Sequence, residues 1–223
     1  MSKVVHPFAH RLPLIRTWKS RWFKVGKAFR ETLRSDVLIR EFLEKRLRGS
    51  YVSDIEFERN QKSTRIIIKT SRPGMIIGRS GESATKLKAD IVSFMKKNNI
   101  ALPEDFKIDI AEIQNPEADA SIMAFSIAEA LEKRMPFRRV LKQTVEKIMQ
   151  ARGVKGAKIG LSGRLGGADM ARQEEIKQGG IPLQFMRGDV DFARETARMS
   201  YGGVGIKVWI YKGDTLENEQ PTN

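Results

Sequence analysis

The stretch RPGMIIGRSGES (Arg72–Ser83) places three glycines and two arginines directly after the β-branched run RIIIKT (Arg65–Thr70). Glycine between a strand and a helix allows the backbone to approach a ligand closely, and that ligand is often a phosphate. Three interpretations follow: a nucleotide pocket, a clamp for a nucleic-acid backbone, or an ordinary turn that caps a helix.

The residues after the last glycine argue against a nucleotide pocket. A phosphate loop of nucleotide hydrolases needs a lysine and then a serine or threonine at that point, but Gly81 is followed by Glu82 and Ser83. The glycine spacing also differs from the dinucleotide pattern Gly-X-Gly-X-X-Gly. What remains is Gly78-Arg79-Ser80-Gly81, a Gly-X-X-Gly turn whose amides and single cation suit a sugar-phosphate backbone. We expect Ile76 and Ile77 to line a groove for unstacked bases, while a simple capping turn stays open as the alternative.

The segments around this turn have regular apolar spacing. Residues 27–48 have the periodicity of an amphipathic helix, with Phe29, Leu33, Val37, Leu38, Phe42, Leu43 and Leu47 on its expected apolar face. Two strands, the glycine turn, a second helix and a third strand follow, up to about residue 113. This order resembles a type II KH domain with a three-stranded sheet, which we assign to residues 27–113.

The second half of the chain predicts another α+β domain, over residues 114–213. Two helices come first, at about 117–134 and from Phe137 to Gly153. Strand-like segments then follow, which favours a mostly antiparallel sheet. The polar end, residues 214–223, is typical of a flexible tail.

The helix that begins at Phe137 has a strongly two-sided pattern. At 100° per residue, one face carries Phe137, Val140, Leu141, Thr144, Val145 and Ile148. Arg138, Arg139 and Lys142 fall together on the other face, with Glu146 as the only nearby acid. Such a face is commonly just solvated. Three cations on one rigid surface, however, also suit a nucleic-acid backbone.

Charge dominates the composition. The 223 residues include 41 Lys and Arg against 27 Asp and Glu, a formal net charge of +14, which indicates a polyanionic partner. Residues 1–26 form a basic arm without carboxylates, in which Phe8, Trp18, Trp22 and Phe23 alternate with cations. A solvated tail is one interpretation; because disordered tails are poor in aromatics, we favour an arm that becomes ordered on RNA.

Several classes of function find little support in the composition. The chain has no cysteine, and its only histidines, His6 and His10, flank Pro7, so we expect neither a metal site nor a cofactor. No apolar run approaches bilayer length, so we expect no membrane partner and a cytoplasmic location. We also expect no catalytic residues and no small-molecule substrate, since neither paired carboxylates nor a metal-ligand cluster has a recognisable spacing.

Long motifs, in one order along the chain, resemble the bacterial-type small-subunit ribosomal protein three family. These motifs are VVHPFAHRLPLIRTW (4–18), RPGMIIGRSGE (72–82), RMPFRRVLKQTV (134–145), SGRLGGADMARQEE (162–175), GGIPLQ (179–184) and YGGVGIKVWIYKG (201–213). The sequence departs from the family in the arm, at Ala9 and Pro13, and we expect a local loop insertion in the segment FMKKNNIALPEDF (94–106).

The resemblance implies a non-catalytic component of the small-subunit head that binds ribosomal RNA and neighbouring head proteins and lines the messenger RNA entry channel. The implied sites follow by motif position: Gly78, Arg79, Ser80 and Gly81 in the KH loop; Arg138, Arg139 and Lys142 on messenger RNA, where they help to open structured message; and Arg11, Arg16, Lys19, Arg21, Arg164 and Arg172 on ribosomal RNA. A free KH-type RNA chaperone or regulator is the alternative within the binding class, and a nucleic-acid lyase or nuclease is the enzyme alternative.

Overall fold

The computed structural model describes residues 5–12, 14–60, 63–100 and 105–215. The chain forms two compact units. One is Trp18–Gln114, and the other joins the described residues before Trp18 to those from Asn115 onward. The basic N-terminal segment is therefore divided between the two units, whereas the sequence predicted a separate arm over residues 1–26.

The first unit is a sheet with helices, and its elements follow the order that the sequence predicted for a KH domain. The elements are β1 (Ser20–Arg21), α2 (Lys27–Arg46), β2 (Val52–Arg59), β3 (Ser63–Thr70), α3 (Pro73–Ile77), α4 (Glu82–Lys97) and β4 (Asp105–Glu112); the first helix, α1 (Pro7–His10), belongs to the other unit. The sheet order is β1-β2-β3-β4, in which β2 and β3 are antiparallel and the two outer pairings are parallel. The short β1, from the N-terminal segment, adds a fourth strand to the predicted three.

The core of this unit lies between the sheet and the helices, and α2 presents a different face to it than the sequence predicted. Leu43 and Leu47 are buried as expected, and Ile39, which was not predicted to face inward, is buried too; Phe29, Leu33 and Val37 are each more than 40% exposed. The buried positions in the first turns of α2 are polar instead: Thr32, Ser35 and Asp36.

Buried charge explains this rotation of α2. Arg59 on β2 forms an ion pair with Asp36, and the indole Nε1 of Trp22 donates a hydrogen bond of 2.7 Å to the same carboxylate. A buried carboxylate needs such partners, because otherwise its desolvation would strongly destabilise the fold. The partners come from other segments, so the local hydrophobic pattern could not indicate that Asp36 faces inward.

The second unit is an antiparallel sheet packed on two helices, as the sequence predicted. Its elements are α1 (Pro7–His10), α5 (Ala120–Glu132), α6 (Phe137–Gln150), β5 (Gly156–Gly163), β6 (Arg172–Gly179), β7 (Gly188–Met199) and β8 (Gly202–Asp214). The strand order is β6-β5-β8-β7, with every pairing antiparallel. Asp119 caps α5 by accepting hydrogen bonds from the amides of Ser121 and Ile122.

Apolar side chains from α5, α6 and the sheet form the core of this unit. The face of α6 predicted to be apolar is the one in contact with that core, because Val140, Leu141, Thr144, Val145 and Ile148 are all buried. The tail beyond Thr215 and residues 101–104 of the predicted longer segment (94–106) lie outside the described residues. Within the described ranges, no helix combines the length and the hydropathy needed to cross a membrane.

Candidate nucleic-acid interface

The Gly-X-X-Gly turn lies between α3 and α4 and depends on left-handed backbone. Gly78 has φ of 73° and Gly81 has φ of 79°, and Ser80 between them also has a positive φ, of 55°. A Cβ on Gly78 would lie 2.3 Å from the Oγ of Ser83, which is too close for any side chain. Both glycines therefore serve the geometry of the turn.

The surface of this turn suits an anion. Arg79 and Ser80 are exposed, and Gly81, at the start of α4, provides no side-chain cap for the helix amides. Uncapped amides at a helix N-terminus favour a phosphate. The two isoleucines before the turn differ: Ile76 is buried in the core, while Ile77 is exposed beside the exposed Met75. Of these two isoleucines, Ile77 is therefore the one that can line a groove, because consecutive residues of a helix point in different directions.

The cationic face of α6 lies opposite the buried face. Arg138, Arg139 and Lys142 are all exposed, and the helix that carries them is anchored by its apolar side. Arg138 is 72% exposed, and its Nη2 lies 3.5 Å from the carboxylate Oε1 of Glu174. Glu174 belongs to β6, and Arg172 of the same strand contacts it at 3.6 Å. The sequence indicates only Glu146 as a nearby neutralising acid, because it does not show that β6 lies next to α6.

Arg164 and Arg172 lie beside the start of α6 but differ in how firmly they are held. Arg164 donates to the carbonyls of Ala168 and Tyr201 and to the carboxylate of Asp169. It thereby closes the turn between β5 and β6 while leaving part of its side chain exposed. Arg172 is half exposed, and its guanidinium lies 5.4 Å from the ring centre of Phe137.

Arg11 does not have the position that the family resemblance implied. It is fully buried, and its guanidinium donates to five backbone carbonyls, at distances from 2.5 to 3.4 Å. Four of those carbonyls belong to the segment from Pro182 to Gly188. Burial lowers the pKa of Arg11, with Asp189 acting in the opposite direction and Arg16 in the same one. Arg11 thus stabilises the second unit and presents no donor to RNA.

The other three predicted contacts of the N-terminal segment are engaged with carboxylates. Arg16 forms an ion pair with Asp189 at 2.6 Å in the second unit. In the first unit, Lys19 pairs with Asp54 at 2.9 Å, and Arg21 pairs with Glu56 at 2.5 Å. These cations are partly exposed, so they can still contact a phosphate, but each is already fixed by a protein partner.

The surroundings of Glu56 shift the pKa of its carboxyl. Its burial would raise the pKa of its carboxyl, but hydrogen bonds and charges from Lys69 and Arg21 outweigh burial, so that the pKa is lowered. The carboxylate is therefore charged at neutral pH and pairs with cations from the two neighbouring strands, Arg21 of β1 and Lys69 of β3.

Sequence reasoning missed Arg134, an exposed cation just before the start of α6. Its backbone has φ of 60°, which is uncommon for any residue other than glycine. Hydrophobic periodicity carries no signal for such a residue, because it lies between two helices and faces solvent. Trp18 and Phe23 also remain exposed, at 64% and 89%, whereas Trp22 packs on Phe29.

Two family profiles match separate parts of the chain. Residues 38–118 match the KH domain, and residues 127–210 match the C-terminal domain of ribosomal protein S3. Over 220 residues, the chain is 41% identical to the small ribosomal subunit protein uS3 of Clostridium novyi (strain NT), covering 99% of this chain and 96% of that relative. The chain belongs to the uS3 family.

Other uS3 relatives have the same extent of similarity. Those of Clostridium tetani and Clostridium acetobutylicum are 41% and 40% identical, with at least 95% of each chain covered. The region that matches the KH domain contains the turn from Gly78 to Gly81. The C-terminal match contains α6 and its three exposed cations.

Proposed function

We propose that the chain is a non-catalytic RNA-binding component of the small ribosomal subunit, located in its head and thus in the cytoplasm. The observation that carries the proposal is its membership of the uS3 family over nearly its full length. The net charge of +14 adds a physical reason, because a surface this basic favours binding to a polyanion such as ribosomal RNA.

Within that role, we assign the face of α6 formed by Arg138, Arg139 and Lys142 to messenger RNA, and we call it the α6 cation face. The three side chains are exposed on a helix whose opposite side is buried, so they can bind phosphates without any rearrangement of the core. Rigid cations that hold one strand would favour the open state of a paired message, because they bind single strands as they appear.

The turn Gly78–Gly81 is assigned to RNA binding by the KH loop. Ribosomal RNA is assigned to the partly exposed Arg16, Lys19, Arg21, Arg164 and Arg172. Arg11 is omitted, since its donors are all engaged inside the protein. For neighbouring head proteins, the exposed apolar side chains Phe29, Leu33 and Val37 on α2 offer a contact surface, because they follow one face of the helix at intervals of four residues.

An assembly experiment separates this function from that of a free RNA regulator. The tagged chain, expressed in its host, is expected to sediment with small subunits at high magnesium concentration. A chain found mainly in the soluble fraction would favour the free KH-type chaperone. Catalysis has a different test: turnover of abasic DNA by pure protein, lost on changing a single lysine, would support the enzyme alternative.

The α6 cation face is tested by replacing Arg138, Arg139 and Lys142 together with alanine. Ribosomes carrying this variant are expected to translate through a stable hairpin more slowly than normal, with little change on unstructured message. The matched control replaces Lys147, Lys177 and Lys207, which are exposed and lie on three different elements, so that the total charge changes equally. Equal slowing on both templates, or by both variants, would contradict an unwinding role.

A further inference from the structure

A small apolar cavity lies next to the α6 cation face, within the second unit. Its volume is about 280 Å³, and its walls include Met135, Phe137, Met199 and Tyr201, with Arg134 at the rim. This is near the lower end of ordinary ligand pockets, which have volumes of roughly 300–1,000 Å³. The space therefore suits one planar heterocycle better than a larger ligand.

Both aromatic rings of the cavity have arginines close to them. The guanidinium carbons of Arg138 and Arg172 lie 5.7 and 5.4 Å from the ring centre of Phe137, and that of Arg164 lies 5.9 Å from the ring centre of Tyr201. Apolar walls with aromatic rings accept the face of a nucleobase, while nearby arginines accept the phosphates attached to it. The charge of the rim thus favours an RNA base over an apolar side chain of a protein.

The counter-charges at this rim are weak competitors for phosphate. Arg138 and Arg172 share Glu174, at 3.5 and 3.6 Å, and Arg164 contacts the fully exposed Asp169 at 3.2 Å. Exposed ion pairs of this kind contribute at most about 1 kcal/mol each, so an RNA phosphate can replace them. Arg134 has no ion pair with any residue in the described ranges.

The backbone of Arg134 supplies an independent observation. The amide of Arg134 donates to the carbonyl of Leu131, and the amide of Met135 donates to that of Ala130, which is the Schellman pattern at a helix C-terminus. Its left-handed position, where φ is 60°, ordinarily holds glycine. An arginine there retains a strained backbone, and no side-chain hydrogen bond or ion pair with another described residue explains its presence. Strain of this kind concentrates where a side chain has a function.

We propose that this cavity binds a single unstacked base of single-stranded RNA, with the flanking phosphates on Arg134 and Arg138. The base would stack on Tyr201 and Phe137. The glycines of the neighbouring turn lie beside these rings: a Cβ on Gly166 would be 3.8 Å from Phe137, and one on Gly167 would be 3.7 Å from Tyr201, both ordinary van der Waals distances. Recognition is independent of sequence, because every base has an aromatic face.

This inference rests on the proposed messenger RNA contact at α6, and the test keeps the two apart. The full chain is labelled with ¹³C at its methionine methyls and titrated with a short adenine oligoribonucleotide, while fluorescence anisotropy of the labelled RNA reports total binding. A base in the cavity is expected to shift the methyl signals of Met135 and Met199 through its ring current. The exposed Met186, outside the cavity, is the internal control.

The same titration with an abasic ribose–phosphate oligomer separates base from phosphate. It is expected to bind more weakly and to leave Met135 and Met199 unshifted. If anisotropy shows saturation with the adenine oligomer while these methyls move no more than that of Met186, or if both oligomers shift them equally, the base site is refuted although RNA binding stands. Absence of saturation would overturn the proposed messenger RNA contact of the α6 cation face as well.

Two variants complete the test. Tyr201→Leu removes one ring and is expected to weaken binding of the adenine oligomer by about fivefold or more, as for the loss of one stacked base. The control, Phe185→Leu, changes an exposed ring outside the cavity and should leave the affinity unchanged. Arg134→Gly suits the left-handed backbone, so it folds at least as well as the natural chain; it should nevertheless bind several-fold more weakly, and equal affinity would overturn the proposal.

Discussion

Replacing Arg11 with methionine tests whether this residue stabilises the second unit or contacts RNA. Methionine keeps most of the side-chain length but donates no hydrogen bond. Two of the five acceptors, the carbonyls of Gly188 and Pro7, receive their bonds in fully buried positions, at 2.5 and 3.0 Å. Each buried carbonyl left unpaired costs about 1–3 kcal/mol. The change also removes a buried charge, which offsets part of this cost. We therefore expect the free energy of unfolding to fall by about 3 kcal/mol.

Hydrogen exchange followed by mass spectrometry, at increasing urea concentrations, measures this loss in peptides from β7, the strand that begins at Gly188. The matched control is Arg16→Met, because Arg16 has a partly exposed ion pair with Asp189 and should contribute about 1 kcal/mol or less. RNA binding by the folded Arg11→Met variant should keep its salt dependence. Unchanged protection of β7, together with a slope reduced by roughly 0.7 log units per log of salt, would instead make Arg11 a phosphate contact.

Two further predictions concern the first unit. Gly78→Ala should destabilise this unit by about 1–2 kcal/mol, because the backbone is left-handed there and the new Cβ would collide with Ser83. The control, Gly74→Ala, has open space around it and should be neutral. Equal melting temperatures of the two variants would contradict this geometry. The lowered pKa of Glu56 contributes stability that is fully present above the unfolded-state value of about 4.3 and is lost as the pH falls through the lowered folded-state value. Glu56→Gln should therefore be less stable than the natural chain at neutral pH, and this difference in stability should disappear in acid. The control is the exposed Glu41→Gln, whose difference from the natural chain should stay constant across pH. A constant difference for Glu56→Gln would refute the assignment.

The parts of the fold that the sequence predicts best are those whose partners are interchangeable. The apolar stripe of α6 is buried as its spacing indicates, because any apolar surface, here α5 and the sheet, satisfies a face of that kind. Likewise, the glycines of the turn from Gly78 to Gly81 report a local backbone requirement, and no distant residue is needed to explain them.

The orientation of α2 shows where that reasoning fails. Its apolar spacing predicted Phe29, Leu33 and Val37 in the core, but the ion pair between Asp36 and Arg59 turns the helix so that these side chains face outward. A charged residue can be buried only beside a specific partner, and the identity of that partner depends on how β2 packs against the helix.

The sequence alone determined the family, the two α+β domains and the basic character of the chain, because long motifs, periodicity and net charge are properties of the chain itself. Only the tertiary structure decided which cations remain available to RNA. Arg11 and Arg138 have the same side chain, yet one satisfies the carbonyls of a segment more than 170 positions away and the other is exposed on a helix. The cavity beside α6 has the same origin: Phe137 and Tyr201 meet only because the sheet brings distant segments together, and such proximity is a property of packing.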